Sequence, residues 1–167
     1  MEIKIFLTNL GKYNEGELVG KWVNVESDTD WTKELEEIGV KEGSDYEEYF
    51  ITDWESDITG LEVGEYESLS HLSNIMEEIE CLDESDEAEL QAILEAGIAS
   101  GVLEAIGELG SHVFLQGIDD EYDLGELYAE EAVQALPEEM RDYFDYARYG
   151  EYIASNGSFV TGGFIFY

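Results

Sequence analysis

Alternating hydrophobic and polar positions open the chain and predict β-strands. Residues 3–10 and 17–25 follow the period of two that is expected of strands with one buried face. A third stretch of strand character lies near residues 46–54. These three segments predict a small antiparallel sheet at the start of the chain.

A helical period lies between the second and third of these strands. Trp31, Leu35 and Ile38 fall on one face of a helix, and Gly39 is a stop signal directly after them. A sheet with one helix is typical of a small α+β unit. We predict that this unit covers residues 1–60.

Helical spacing of apolar residues continues through the middle of the chain. Three short helices are predicted, and the second and third are each followed by a glycine, which is common just after a helix. The apolar positions are Leu69, Leu72, Met76 and Ile79, then Leu90, Ile93 and Leu94, then Val102, Leu103, Ile106 and Leu109. We predict a central helical bundle over residues 61–110.

The last third of the chain mixes strand and helix signals. Residues 112–118 predict a strand, and Asp123 with Glu126 predicts the cap of a following helix in D-x-x-E fashion. The Asn156-Gly157 pair is a strong signal for a type I′ turn in a β-hairpin. Residues 111–167 are therefore expected to hold a sheet and several helices.

One of those helices is predicted to start at a proline. Pro137 suits a first helical turn, and Met140, Phe144 and Ala147 would share the apolar side. The predicted fold class is therefore α+β, an elongated chain of three small units with the boundaries given above. The C-terminal unit is also the expected site of dimerisation.

The charge of the chain is concentrated in its middle. Residues 42–140 contain 30 Asp or Glu and no Lys or Arg, and the whole chain has a net charge of −35. Such a charge usually indicates disorder, but hydrophobic residues make up 44% and aromatic residues 13% of this chain. We therefore expect an ordered polyanion.

Cysteine usage and hydropathy indicate a soluble cytoplasmic protein. Cys81 is the one cysteine, which fits a reducing compartment, and we expect its thiol to be buried. The longest uncharged run, residues 152–167, is shorter than the ~20 residues of a membrane helix. We expect no membrane and no nucleic acid among its partners.

Like charges lie one helical turn apart on the predicted helices without a cation between them. Glu77 with Glu80, and Glu126 with Glu130, are such pairs, and each costs about 0.2–0.5 kcal/mol. A small domain needs a net charge of only ~2–8 for solubility. A partner that prefers negative charge is the better explanation, and we predict that it contacts fourteen acids in particular. They are Glu77, Glu78, Glu80, Asp83, Glu84, Asp86, Glu87, Asp119, Asp120, Glu121, Asp123, Glu126, Glu130 and Glu131.

The size of the charge matches a short duplex. Because DNA carries one charge per ~1.7 Å of axis, 35 charges correspond to roughly 60 Å, or about 18 base pairs. A basic groove that binds DNA would attract this chain for the same reason. An acidic binding module for another basic protein, or the acidity of a halophile, would also explain the composition, although salt adaptation should spread charge evenly.

Metal binding and catalysis are weaker interpretations. Asp119, Glu121, Asp123 and Glu130 have the spacing of a calcium loop, but Leu124 stands where that loop needs glycine. No nucleophile elbow, phosphate-binding loop or zinc-protease motif is present. We expect no metal, no cofactor and no enzymatic activity.

Three motifs resemble a known family. They are residues 9–22, NLGKYNEGELVGKW, residues 46–49, YEEY, and residues 146–150, YARYG. Together with the length and the order of segments, they resemble the ArdA antirestriction proteins. The resemblance implies a non-enzymatic, curved homodimer with three small domains per chain that mimics bent B-form DNA. Such proteins are carried by mobile genetic elements and occupy the DNA-binding groove of type I restriction–modification complexes, on their methyltransferase core, in the bacterial cytoplasm.

The resemblance also assigns structural roles to residues of the first motif. Its glycines are expected at turns or close approaches, and its large apolar residues in the core of the first unit. The glycines are Gly11, Gly16 and Gly20, and the apolar residues are Tyr13, Leu18 and Trp22.

The C-terminal segment is the place where two such chains could meet. Residues 141–167 have a net charge of only −1 and are rich in aromatic residues. We predict a dimer surface there, with the alternative that the same rings fill the core of the third unit. The residues are Tyr143, Phe144, Tyr146, Tyr149, Phe159, Phe164, Phe166 and Tyr167.

Overall fold

The computed structural model describes residues 1–167 and shows an α+β protein with two three-stranded antiparallel sheets and nine helices. The predicted fold class is confirmed. The chain forms two compact units, Met1–Glu87 and Ala88–Tyr167. The division into three units at about residues 60 and 110 stays a prediction.

The first unit is built around a sheet with strand order β2-β1-β3. Its elements are β1 (Ile3–Asn9), α1 (Leu10–Asn14), β2 (Gly20–Asn24), α2 (Trp31–Glu37), β3 (Tyr49–Ser56) and α3 (Leu69–Ile79). The helix α4 (Glu84–Glu95) begins in this unit and ends in the second.

The core of the first unit follows directly from the alternation in the sequence. Ile3, Ile5 and Leu7 on one face of β1 are fully buried, because the central strand has a partner on each side and this face turns inward. The helix α3 buries one apolar stripe, as its spacing predicts. A hydrogen bond from the Trp31 indole N–H to Ser73 Oγ (2.9 Å) ties α2 to α3.

The second unit contains a sheet with strand order β4-β6-β5 and most of the short helices. Its elements are α5 (Val102–Gly107), β4 (Val113–Gln116), α6 (Glu121–Tyr128), α7 (Glu130–Gln134), α8 (Glu138–Arg141), α9 (Tyr146–Ala154), β5 (Gly157–Val160) and β6 (Gly163–Phe166). Leu124, Phe164 and Ile165 are fully buried at its centre.

The helices α6 and α9 cross at two glycines. A Cβ on Gly125 would overlap the carbonyl of Tyr146, and a Cβ on Gly150 would overlap the carbonyl of Glu121. Each helix therefore touches the backbone of the other. Neither glycine was predicted to have this role.

The helix predicted to continue from Pro137 ends after one turn. Pro137 is the N-cap of α8, which stops at Arg141, and Asp145 caps the separate helix α9 by accepting a hydrogen bond from the Arg148 N–H. The prediction of one helix with Phe144 and Ala147 on a common face is wrong. The Asp145 cap ends the apparent apolar period.

The predicted type I′ turn at Asn156-Gly157 is also wrong. That turn needs positive φ at both central residues, and no non-glycine residue of the chain has positive φ. The preceding residues belong to α9, and the hairpin of β5 and β6 closes at Thr161-Gly162, where Gly162 has φ +83°.

Two predictions of local detail fail in a similar way. The cap of α6 is Asp120, whose carboxylate accepts from the Asp123 N–H, so Asp123 lies in the first turn. Cys81, predicted to be buried, is exposed and lies two residues after the end of α3 at Ile79.

The motif glycines have the expected roles, but the motif's large apolar residues do not. Gly16 has φ +88°, and a Cβ on Gly20 would lie 2.7 Å from the carbonyl of Leu7. Tyr13, Leu18 and Trp22 are 52%, 68% and 36% exposed. Their prediction as core residues is wrong, because they lie away from the buried face of the sheet.

No helix has both the length and the apolar character needed to cross a membrane, since the longest, α4, has 12 residues.

Candidate acidic interaction surface

The fourteen predicted acids fall into one stretch in each unit. Residues 77–87 run from the last turns of α3 through the connection into the first turn of α4. Residues 119–131 run along α6 into α7. Eleven of the fourteen are exposed, and Asp86, Glu87 and Asp123 are half-buried.

Three of these acids hold helix starts in place. Asp83 accepts hydrogen bonds from the N–H groups of Ser85 (2.9 Å) and Asp86 (3.0 Å) at the start of α4. Asp120 caps α6, and Asp123 accepts from the Asp119 N–H at 3.1 Å. A carboxylate is stabilised at a helix N-terminus because unpaired N–H groups and the helix dipole meet there.

Three further acids contact single partners. Glu80 accepts from the Ser27 hydroxyl (2.5 Å), and Glu130 accepts from the Gln134 amide (3.1 Å). Glu87 lies 3.8 Å from the N-terminal ammonium of Met1. These contacts orient the three carboxylates.

The other eight acids have no ion pair and no side-chain hydrogen bond. They are Glu77, Glu78, Glu84, Asp86, Asp119, Glu121, Glu126 and Glu131. The predicted like-charge pair Glu126 and Glu130 is divided between two helices, because α6 ends at Tyr128. These eight carboxylates are available to a partner.

Every lysine forms an ion pair with an acid of the first 55 residues. Lys21 lies 2.5 Å from both Glu34 and Glu37, and the other four lysines have a carboxylate within 4.0 Å. The other pairs are Lys4 with Glu55, Lys12 with Glu15 and Glu17, Lys33 with Glu37, and Lys41 with Glu36.

The two arginines leave the acids unpaired as well. Arg141 donates to the carbonyls of Gln134 (3.1 Å) and Leu136 (3.2 Å), and neither Arg141 nor Arg148 lies within 4.0 Å of a carboxylate. Within residues 42–140, Glu55, Glu87 and Glu108 lie within 4.0 Å of a group that can carry positive charge, and no lysine or arginine belongs to this stretch. The potential of the middle of the chain therefore stays negative.

The ionisation of a few acids is shifted by their contacts. Hydrogen bonds from Lys21 hold the pKa of Glu37 below its ordinary value. The hydroxyl and the backbone N–H of Ser100 lower the pKa of Glu104 in the same direction. Both groups stay charged into mildly acidic solution.

The spacing that resembled a calcium loop lies mostly on helices. The segment is helical from Glu121, so Glu121 and Asp123 are held on α6 and Glu130 on α7 instead of on a closing loop. No group of three or more His, Cys, Asp or Glu side chains is placed to hold a metal ion.

The predicted dimer residues divide between the core and the surface. Phe164 is fully buried, and the rings of Phe159 (4.8 Å) and Phe166 (4.9 Å) lie edge-on against it. Tyr143 and Tyr167 are 81% and 62% exposed. Some of these aromatic residues therefore belong to the core, and others are exposed and available for a dimer surface.

A second aromatic cluster surrounds the start of α9. The Phe144 ring lies 5.0 Å from that of Tyr146 and 5.5 Å from that of Tyr149, and all three residues are half-buried. Tyr152, which is not among the predicted dimer residues, is 74% exposed. A prediction of helix for residues 146–154 would have placed Tyr152 on the surface.

A known protein family matches nearly the whole chain. The family model described as antirestriction protein (ArdA) matches residues 5–166 of the chain. Comparison with the curated proteins finds no match.

Proposed function

The chain belongs to the ArdA family of antirestriction proteins, and from this premise we propose that it mimics B-form DNA. The target is the DNA-binding groove of a type I restriction–modification complex, on its methyltransferase core. No step of this action requires catalysis, a metal or a cofactor. The action belongs in the bacterial cytoplasm, where such complexes meet DNA.

One observation carries the proposal. Eight exposed or half-buried carboxylates, seven on α3, α4, α6 and α7 and Asp119 just before α6, have no cation and no hydrogen-bond partner. A groove lined by Lys and Arg gains free energy when it meets ordered negative charge, because counterions are released. Acids one helical turn apart, as Glu77 and Glu80 are, lie ~5–6 Å from each other, which is comparable to phosphate spacing.

The mechanism is competitive occupancy. While the acidic helices fill the groove, the complex can neither methylate nor translocate DNA. Many carboxylates share the interaction, so loss of any one should matter little. Binding should weaken steeply as salt rises, as it does for DNA itself.

A competition assay tests this mechanism. The protein competes with a labelled duplex for a purified type I methyltransferase at two salt concentrations. One variant changes the eight unpaired acids to Asn or Gln. A matched control changes eight other acids without an ion pair, Glu2, Glu26, Asp28, Glu42, Asp45, Glu48, Glu62 and Glu67.

The proposal expects the first variant to compete more weakly and with a flatter salt dependence than the control. Equal losses in both would mean that total charge alone acts, as for an acidic module that binds any basic protein. A small basic protein that does not bind DNA serves as a further competitor. If one single neutralisation abolishes competition while the fold persists, the distributed mechanism is wrong.

The protein is further proposed to act as a homodimer joined through residues 141–167. Two polyanions approach most easily where charge is sparse, and Tyr143 and Tyr167 are exposed in this segment. Tyr143→Asp should lower the mass measured by light scattering. Tyr66→Asp is the matched control, because Tyr66 is 73% exposed in the first unit. An unchanged mass for Tyr143→Asp and a matching Tyr167→Asp variant would reject this surface.

A further inference from the structure

The outer face of the first sheet carries an exposed aromatic groove. Five apolar side chains line about 480 Å³ of open space, together with Thr52 and the carboxylates of Asp53 and Glu65. We call this the aromatic groove, and its apolar residues are Phe6, Tyr13, Leu18, Trp22 and Phe50.

The sheet register places these residues in two adjacent rows. Phe6 on β1 stands opposite Trp22 on β2 and Asp53 on β3, and Thr8 stands opposite Phe50. Phe6 and Thr8 are two residues apart and share a face, so Phe50 and Asp53 share it as well. They can do so only because a bulge at this point adds one residue, Thr52, to β3.

The rings are fixed before any partner arrives. The Phe6 and Trp22 centroids are 5.4 Å apart at 77°, and the Tyr13 and Phe50 centroids are 5.1 Å apart at 67°. The Phe6 ring fills the space that a side chain at Gly20 would take. A preorganised surface loses little side-chain entropy on binding.

The neighbouring row of the sheet, with Lys4 on β1 and Glu55 on β3, contains a cation that contacts both a ring and a carboxylate. The Lys4 ammonium lies 5.0 Å from the centre of the Trp22 ring and 3.8 Å from the Glu55 carboxylate. Asp53 stands opposite Phe6 as Glu55 stands opposite Lys4, and Glu65 also lines the groove, but neither Asp53 nor Glu65 has a cation within 4.0 Å. Lys4 therefore contacts one ring of the groove and pairs with Glu55, whereas the carboxylates of the groove itself have no cation.

We propose that the aromatic groove is a docking site for an arginine side chain carried by a protein partner. A guanidinium stacks on aromatic faces and bonds carboxylates with a planar fork, and its aliphatic stem packs on apolar groups. These are the two kinds of surface that the groove presents.

Charge decides against the other occupants. A second copy of this chain, or a nucleic acid, would bring negative charge to Asp53 and Glu65. A neutral apolar segment would remove water from both carboxylates without replacing it, which is costly. The groove is separate from the acidic helices of the proposed function, and it supplies a short-range contact that salt screens less than the long-range field.

The test uses blocked tripeptides, acetyl-Gly-X-Gly-amide, with X as arginine, lysine or norleucine. Binding to the full chain is followed by NMR in 0.15 M and 0.5 M salt. The arginine peptide should shift the Trp22 indole N–H at both salt concentrations. The Trp31 indole N–H, which donates to Ser73, is the internal reference and should stay in place. The lysine peptide should bind more weakly, and the norleucine peptide should not bind.

Substitutions with matched controls locate the site. Trp22→Leu should weaken binding of the arginine peptide about fivefold, and Asp53→Asn about threefold. Asp45→Asn removes the same charge from an exposed acid outside the groove and should leave the affinity unchanged.

One substitution should act in the opposite direction, which a folding defect cannot imitate. Lys4→Gln removes the cation that lies over Trp22 and should tighten binding about twofold. Lys41→Gln, whose ammonium pairs with Glu36 instead, makes the same change in net charge and should tighten binding less.

Several results would overturn the proposal. They are shifts that spread evenly and vanish in 0.5 M salt, norleucine binding as tightly as arginine, equal effects of Asp53→Asn and Asp45→Asn, or equal effects of Lys4→Gln and Lys41→Gln. No restriction enzyme is present in this test, so it can fail or succeed independently of the proposed function.

Discussion

The two units accommodate their acids in different ways. The first unit holds 26 acids and all five lysines, and each lysine lies within 4.0 Å of a carboxylate. The second holds 16 acids and two arginines, and neither arginine is in an ion pair. Acids of both units also accept hydrogen bonds from backbone N–H groups, for example Asp83 from Ser85 in the first and Glu89 from Gly110 in the second, both at 2.9 Å.

This difference shows how an ordered protein can remain a polyanion. An ion pair orders a carboxylate and cancels its charge. A hydrogen bond from a backbone N–H orders the carboxylate and leaves the charge in place. Acids held only by backbone N–H groups therefore present negative charge on a defined framework, and the second unit has no lysine and no paired arginine to offset it.

The cores differ as well. The first unit buries an aliphatic sheet face, with Ile3, Ile5 and Leu7 at its centre. The second depends on backbone contact between α6 and α9 at Gly125 and Gly150. Large-to-small substitutions, which create cavities, should destabilise the first core. Added side-chain atoms at the two glycines should destabilise the second.

The largest effect should come from adding one methyl group to the helix crossing. Gly150→Ala forces α6 and α9 apart because the Cβ would overlap the Glu121 carbonyl, and we expect a loss of about 3 kcal/mol or more in unfolding free energy. Denaturant unfolding measures it. Gly107→Ala, in α5 with open space around it, should be neutral or stabilising. Similar losses for both would remove the contrast between the cores.

Loss of a carboxylate cap should have the next largest effect. Asp120→Ala leaves the Asp123 N–H without its acceptor and should cost about 1 kcal/mol. Asp120→Asn removes the same charge but keeps an acceptor, so it should cost much less. If the two variants were equally destabilised, charge and not the hydrogen bond would stabilise α6, and the distinction between the units would fail.

Ion pairs of the first unit should contribute less. Lys21→Gln removes a cation shared by Glu34 and Glu37, and we expect a loss of at most about 1 kcal/mol, because the pair is partly exposed. The loss should shrink in 1 M salt, where screening is strong. Thermal unfolding at low and high salt measures it, with Lys33→Gln, which has one long contact of 3.9 Å, as the weaker comparison. A loss independent of salt would contradict an ionic origin.

The smallest expected effect is a change in the pKa of Glu104. Because its pKa is lowered in the folded state, Glu104 contributes stability that is fully present above its ordinary pKa of 4.5 and is lost as the pH falls through the folded pKa. Ser100→Ala removes the hydroxyl donor, so the pKa should rise toward 4.5. Carbon-13 NMR of the carboxyl groups follows this change. The pKa of Glu37, which depends on Lys21, should not move.

Much of the fold was predictable from local pattern. The alternation of residues 3–10 and the helical spacing of Leu69, Leu72 and Met76 correspond to β1 and α3. Such periods are set by which side chains must leave water, and a window of ten residues contains that information. The charge distribution and the family resemblance were likewise readable from the sequence.

The tertiary structure decided which residues meet across the chain. The bulge at Thr52, the contact of Gly150 with α6 and the exposure of Trp22 all depend on segments far apart in sequence. The alternation along β2 determines which residues of the strand point to the same side as Trp22, but not whether that side of the sheet is buried. Burial is a property of the assembled layers, whereas the period of a strand or helix is a property of the chain itself.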